Sequence, residues 1–135
     1  MTKITLDQAK LEVIGFLQDH DLETDTTLML EEDAQEFNDI LEAVAKPVSQ
    51  GRAIIDGNKY VLTLREPIGD TKEVAVSGMS AADMFAADKA KKGNEMAKTG
   101  HMIASMVKLT FAEVNRMKSQ DFMLLSRLSG LFMAV

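Results

Sequence analysis

The carboxylates and imidazoles of this sequence are the side chains best suited to catalysis, but their spacing does not favour it. Glu31, Glu32 and Asp33 are adjacent at the start of a predicted helix, where acidic side chains favour the helix dipole. His20 and His101 lie far apart, with no metal-ligand spacing around them and no neighbouring nucleophile. The chain contains no cysteine. We therefore predict a protein that is not an enzyme, with no catalytic residue, no metal site and no cofactor.

The charge is unevenly distributed along the chain, which bears on its partners. Residues 1–50 contain twelve acidic and three basic side chains, whereas residues 51–135 contain nine acidic and twelve basic ones. We expect no nucleic-acid binding, because phosphate recognition needs clustered Lys and Arg. No apolar run approaches the roughly 20 residues that span a membrane, and the N-terminus lacks the apolar segment of a secretory signal. A cytoplasmic protein without a membrane partner is the expectation.

Methionine is the unusual component of the composition. The chain has ten methionines, seven of them between Met79 and Met123. Methionine is flexible and polarizable, so it occurs on surfaces that accept varied apolar partners, but it also fills cores. We take four residues as candidates for an adaptable client-binding groove, with self-association or ordinary core packing as the alternatives: Met102, Met106, Met123 and Leu131.

Apolar residues at helical spacing predict helices over most of the chain. Three pairs have the spacing of a capping box, which marks a helix start: Thr5 with Gln8, Ser80 with Asp83, and Thr110 with Glu113. Further helices are predicted to begin near Leu28, Asn94 and Ser119. The first helix should end near His20, and Pro47 should end the second.

The segment "GRAIIDGNKYVLTLREP" predicts a β-hairpin between the second and third helices. Its strands are placed at Arg52–Ile55 and Asn58–Arg65, with Gly57 at the second central position of a two-residue turn. Pro67 should end the second strand because proline has no N–H for the ladder. The following "TKEVAVSG" is either a short third strand or a loop.

Together these elements predict an α+β fold that is mostly α-helical. Two strands alone are marginally stable, so the hairpin must pack against several short helices. Residues 1–45 are predicted to form an acidic N-terminal helical arm, and residues 46–135 the hairpin plus helices. We expect the two parts to form one compact unit.

Two stretches carry a resemblance to a known family. "KPVSQGRAIIDGNKYVLTLREPIGD" and "KLTFAEVNRMKSQDFMLLSRLSGLF" resemble the small tail-assembly chaperones of contractile-tailed phages and prophages. The resemblance covers residues 46–133. The more specific block is "LTLREP", and the residues that match the family pattern are Pro47, Gly57, Leu62, Thr63, Leu64, Arg65, Glu66, Pro67, Asp70, Leu109, Thr110, Glu113, Met117, Asp121, Leu125 and Phe132.

The resemblance implies a role in virion assembly. Proteins of this family bind the long, helical, aggregation-prone tape-measure protein in the cytoplasm of the bacterial host and help deliver tail-tube protein to it. They are absent from the mature virion, and many also exist in a longer, frameshifted form. The alternative is a small acidic regulatory or inhibitor protein that acts by protein–protein binding, which the charge of residues 1–45 favours.

The matched residues after the hairpin suggest a structural motif. Arg65 is expected to pair with a carboxylate of the helical layer, either Asp121 or Glu113, since such a pair fixes orientation. Asp70 is expected to turn the chain toward the helices. Direct contact of Arg65 and Glu66 with a client is the alternative.

Overall fold

A computed structural model describes residues 3–133 of the chain. Within these residues the fold is mostly α-helical, with six α-helices around one antiparallel sheet of three strands, as the sequence predicts. In chain order the elements are α1 (Leu6–Asp19), α2 (Glu31–Ser49), β1 (Ala53–Asp56), β2 (Lys59–Ile68), β3 (Thr71–Val76), α3 (Ala81–Phe85), α4 (Glu95–Val107), α5 (Phe111–Asn115) and α6 (Ser119–Met133). Short 3₁₀ turns at Thr26–Leu28 and Ala86–Lys89 precede α2 and follow α3.

The three predicted capping boxes are present and begin α1, α3 and α5. In each, a Ser or Thr hydroxyl accepts from the backbone N–H three residues later, and the side chain there accepts from the backbone N–H of the cap. Asn94 caps α4 in the predicted place by accepting from the N–H of Ala97. These predicted starts are confirmed. They could be predicted because each depends only on contacts three residues apart.

Helix α2 differs from the prediction at both ends. α2 begins at Glu31, after an exposed Leu30, rather than near Leu28, and Asp25 caps the 3₁₀ turn that precedes it. Pro47 does not end the helix, which continues to Ser49. Proline in the last turn removes a single intrahelical hydrogen bond. The Pro47 carbonyl accepts from the N–H of Arg52 at 2.9 Å, which leads the chain into β1.

The sheet contains the third strand that the sequence left open. β2 lies between β1 and β3 and is antiparallel to both. Asp56 pairs with Lys59, so the two-residue turn is Gly57–Asn58, and Gly57 occupies the first central position rather than the second. Its φ of 61° and the absence of Asn58 from the positive-φ residues of the described chain fit a type II′ turn.

Pro67 does not end β2, which corrects the second expectation about this strand. The strand continues to Ile68, and the register shifts between Thr63 and Ile68. The pairing of β1 stops at Leu62, so proline costs no ladder bond on that side. Asp70 is also placed differently: with Gly69 it forms the turn into β3, since Ile68 pairs with Thr71, and it does not lead to a helix.

Gly57→Val should destabilise the fold by more than about 1 kcal/mol, because a β-branched side chain is strained at positive φ. No heavy atom lies within 4 Å of the added Cβ, so the loss would report backbone strain alone. Urea unfolding measures it. Gly15→Ala in α1 is the control and should stabilise by up to about 1 kcal/mol. An unchanged midpoint for Gly57→Val would contradict this turn geometry.

Helix α4 packs closely against α5 at Gly100. A Cβ on Gly100 would lie 2.9 Å from Cε1 of Phe111, and the Phe111 ring stacks on His101 with ring centres 3.9 Å apart. Glycine has a low helix propensity, but at this position the absence of a side chain leaves room for the Phe111 ring of α5. α3 ends at Phe85, and the chain continues as the 3₁₀ turn.

One core joins the N-terminal helices to the sheet and α6, so the described part of residues 1–45 packs with the rest of the chain. The expected boundary at residue 45 falls inside α2. Phe16 of α1 lies fully buried against Tyr60 of β2 and Phe132 of α6, with ring centres 6.2 and 5.9 Å apart. The Tyr60 hydroxyl donates to the Val44 carbonyl of α2 at 2.8 Å, and burial raises the pKa of this hydroxyl.

Candidate functional site

The four candidate groove residues do not form one surface. Met102 and Met106 of α4 and Leu131 of α6 are buried, and only Met123 is exposed, at 45%. Helical spacing assigned one apolar face to each helix, but α4 is covered by α3, α5 and α6 together. Methionine therefore fills the core at these α4 positions, which corrects the expected client-binding set.

A buried carboxylate organises the residues of the "LTLREP" block. Asp121 of α6 is 1% exposed. Its Oδ1 lies 3.0 Å from Nη2 of Arg52, and its Oδ2 accepts from the backbone N–H of Arg65 at 2.8 Å. Nε of Arg65 lies 3.9 Å from Oδ1. Asp121, rather than Glu113, is thus the carboxylate beside Arg65.

Arg52 was missed by the sequence reasoning, although a signal was present. Its carbonyl accepts from the N–H of Thr63 at 2.8 Å, so the hairpin register brings Arg52 to the same end of the sheet as Arg65. The correct register would have indicated two arginines at one end of the sheet. Glu66, by contrast, makes an exposed ion pair with Lys118 at 3.3 Å, a contact of small energetic value.

Asp121→Ala should destabilise the protein by about 3 kcal/mol, because it leaves Arg52 and the Arg65 N–H without their buried acceptor. Asp121→Asn should cost less, since the amide oxygen can still accept from the Arg65 N–H. Glu66→Ala is the matched control and should change stability by less than about 1 kcal/mol. Urea unfolding of the three variants measures this. A loss below about 1 kcal/mol for Asp121→Ala would show that water replaces the carboxylate.

The other buried carboxylate also serves the structure. Asp83 accepts from the Ser105 hydroxyl and from the backbone N–H of Ser80. Burial opposes its ionisation, yet these hydrogen bonds hold its pKa below the ordinary value. Within residues 3–133 every buried side-chain N or O atom has a hydrogen-bond partner. The same residues contain no group of three or more His, Asp or Glu side chains that could hold a metal ion.

An open cavity lies between α1, α2 and α6, and of the four predicted client-binding residues only Leu131 lines it. We call it the acidic groove; it has a volume of about 680 Å³ and is lined by Leu17, Leu22, Glu23, Leu28, Met29, Leu30, Asp33, Glu36, Phe37, Ile40, Gly130 and Leu131. The segment between α1 and α2 forms one wall, and α6 closes the other. Its floor is apolar, and Glu23, Asp33 and Glu36 supply its carboxylates.

Two leucines at the edge of the acidic groove are left largely uncovered. Leu28 is 71% exposed and Leu30 is 77% exposed. They lie in the 3₁₀ turn and at the cap of α2, where no helical face can bury them. The sequence signal was "LML" directly after the helix-breaking "TDTT", an apolar run outside the helical pattern. Two exposed leucines beside an apolar groove are typical of a protein-binding surface.

A second pocket lies at the other end of α2 and carries the opposite charge. This basic pocket has a volume of about 420 Å³, and its cationic lining residues are Lys46, Arg52, Arg65 and Arg127. Ser119, Gln120 and Met123 of α6 complete one side. Of the predicted client-binding residues, Met123 therefore lines the basic pocket and Leu131 the acidic groove.

None of the helices in residues 3–133 combines the length and the apolar character needed to cross a bilayer. Comparisons of the chain with protein-family models, with curated proteins and with solved structures found no match.

Proposed function

We propose that this protein is a non-enzymatic assembly chaperone for phage tail morphogenesis. It binds an apolar helical segment of the tape-measure protein in the acidic groove and helps recruit the tail-tube protein. It acts in the cytoplasm of the bacterial host and is absent from the mature virion. The observation that carries the proposal is the open apolar groove with two exposed leucines at its edge. The choice of the tape-measure protein as the client comes from the resemblance of residues 46–133 to tail-assembly chaperones.

The shape and chemistry of the acidic groove suit a helix. The groove is bounded by α2 and α6, and its floor presents Leu17, Phe37 and Ile40. An amphipathic helix buries its apolar face in such a groove. Full burial of one leucine contributes about 1.5–3 kcal/mol, so covering Leu28 and Leu30 favours association. The carboxylates at the edge favour a client with basic residues beside its apolar face.

Coexpression with the tape-measure protein tests the proposal. Wild-type protein should keep the client soluble and copurify with it. Leu28→Asp and Leu30→Asp should abolish copurification without unfolding the chain, because both residues are exposed. Leu11→Asp is the matched control, since Leu11 is 69% exposed on α1 and does not line the groove. A client that is equally insoluble with and without wild-type protein overturns the proposal, as does equal loss of binding with Leu11→Asp.

A second candidate function is supported by the charge of α2. Glu31, Glu32, Asp33 and Glu36 are exposed near its N-terminus, and such a surface can attract a basic host protein. This is the acidic regulator or inhibitor that the sequence also suggested. A host protein captured by full-length chain at low salt, released at high salt and lost with Glu31→Lys/Glu32→Lys would favour it. Both residues lie outside the acidic groove, so the chaperone proposal predicts unchanged client binding for that variant.

A further inference from the structure

The acidic groove and the basic pocket lie end to end along one pair of helices. The N-terminal half of α2 and the C-terminal end of α6 line the acidic groove. The C-terminal half of α2 and the N-terminal half of α6 line the basic pocket. The helices are therefore antiparallel, and we call the two depressions together the α2–α6 seam.

Charge is segregated along the α2–α6 seam. Its acidic end carries Asp33 and Glu36 on α2, and its basic end carries Lys46 on α2 and Arg127 on α6. All four side chains belong to exposed residues. Among residues 3–133, none of the four forms an ion pair within 4.0 Å, although Asp121 neutralises part of the charge of the neighbouring arginines. The seam thus presents two opposite charges that its own chain leaves uncompensated.

We propose that the α2–α6 seam binds a second copy of this chain in a two-fold symmetric dimer. A two-fold axis normal to the seam and near its centre places the acidic end of each copy on the basic end of the other. In such an isologous contact every pairing occurs twice. Glu36 and Lys46 are ten residues apart on α2, so the charged ends are separated by about 15 Å at a rise of 1.5 Å per residue. In the dimer the like-charged ends of the two copies are separated by about the same distance, so they repel each other only weakly.

The apolar residues of the seam fit the same arrangement. Leu28 and Leu30 are exposed at the acidic end, and Met123 is exposed at the basic end. Docking of a second copy would place Leu28 and Leu30 of each copy against the end of the other copy that carries Met123. The seam is short for an interface, and small contacts of this kind are transient. We therefore expect a weak dimer that strengthens as salt is lowered, because exposed charges are screened by ions.

Sedimentation velocity of the protein alone, over a range of concentration and salt, tests the proposal. Wild type should dimerise reversibly, and the dissociation constant should rise at least tenfold from 50 mM to 500 mM NaCl. Lys46→Glu/Arg127→Glu makes both ends of the seam acidic, and Asp33→Lys/Glu36→Lys makes both ends basic. Each variant should be monomeric by itself. An equimolar mixture of the two should form a heterodimer tighter than the wild-type homodimer, since both of its contacts are complementary.

The control is Lys91→Glu/Lys92→Glu, which changes the net charge as much as Lys46→Glu/Arg127→Glu but lies outside the seam. It should dimerise like wild type. A monomeric wild type at every salt concentration overturns the proposal, as does a mixture that forms no heterodimer or a control that dissociates equally. No client is present, so failure here leaves the proposed chaperone function untouched. Because both use the acidic groove, a bound client helix should displace the second copy.

Discussion

A truncated chain that begins at Ala45 should not unfold cooperatively. It lacks α1 and most of α2, and the loss of these helices exposes the core. Those helices bury eight residues of the common core between residues 9 and 48, six of which the truncation removes: Ala9, Val13, Phe16, Leu17, Leu41 and Val44. The Tyr60 hydroxyl would also lose its acceptor, the Val44 carbonyl. An unpaired buried hydroxyl adds to the lost apolar contacts. Urea titration followed by circular dichroism and calorimetry would show a broad transition without a heat-absorption peak.

A point variant gives a graded form of the same test. Phe16→Ala should destabilise the full chain by about 3–5 kcal/mol, since Phe16 is 1% exposed and contacts three other aromatic rings. Leu11→Ala, on the same helix but exposed, should change stability by less than about 0.5 kcal/mol. A truncated chain that retains the full-length midpoint would show that residues 45–135 fold alone and that residues 1–45 are an accessory arm.

Leu128→Asp should unfold the protein, and Leu131→Asp should destabilise it severely. Leu128 is fully buried and Leu131 is 4% exposed, so each substitution places an unpaired charge in the core. Met123→Asp on the same helix should remain folded, because Met123 is 45% exposed. The expected order of thermal midpoints is therefore wild type close to Met123→Asp, then Leu131→Asp, with no cooperative transition for Leu128→Asp.

This order of thermal midpoints tests whether Leu131 of α6 is buried, as in the structure, or exposed. The sequence grouped Leu131 with Met123 as candidates for a client-binding groove, whereas the structure places Leu131 in the core and at the edge of the acidic groove. A folded Leu131→Asp with a wild-type midpoint would return Leu131 to the surface. Equal loss of stability with Met123→Asp would remove any role of Met123 in the exposed seam.

The features that the sequence by itself determined are those that depend on neighbours a few residues away. The capping boxes at Thr5, Ser80 and Thr110 are formed by side chains three residues from the groups they bind. The alternation of Tyr60, Leu62 and Leu64 required one buried face of a strand, and all three are buried. Apolar periodicity likewise located the helices, and hence the mostly α-helical class.

Tertiary structure alone decided which expected helix and strand ends were real and which apolar residues were buried. Pro47 and Pro67 end nothing, because each stands where few backbone partners are lost. Met102 and Leu131 are buried because several elements cover them at once, which the period of one helix does not show. Arg52 meets Asp121 across 69 residues of chain. The acidic groove, likewise, exists only because α6 packs against α2, bringing Leu131 beside residues 17–40.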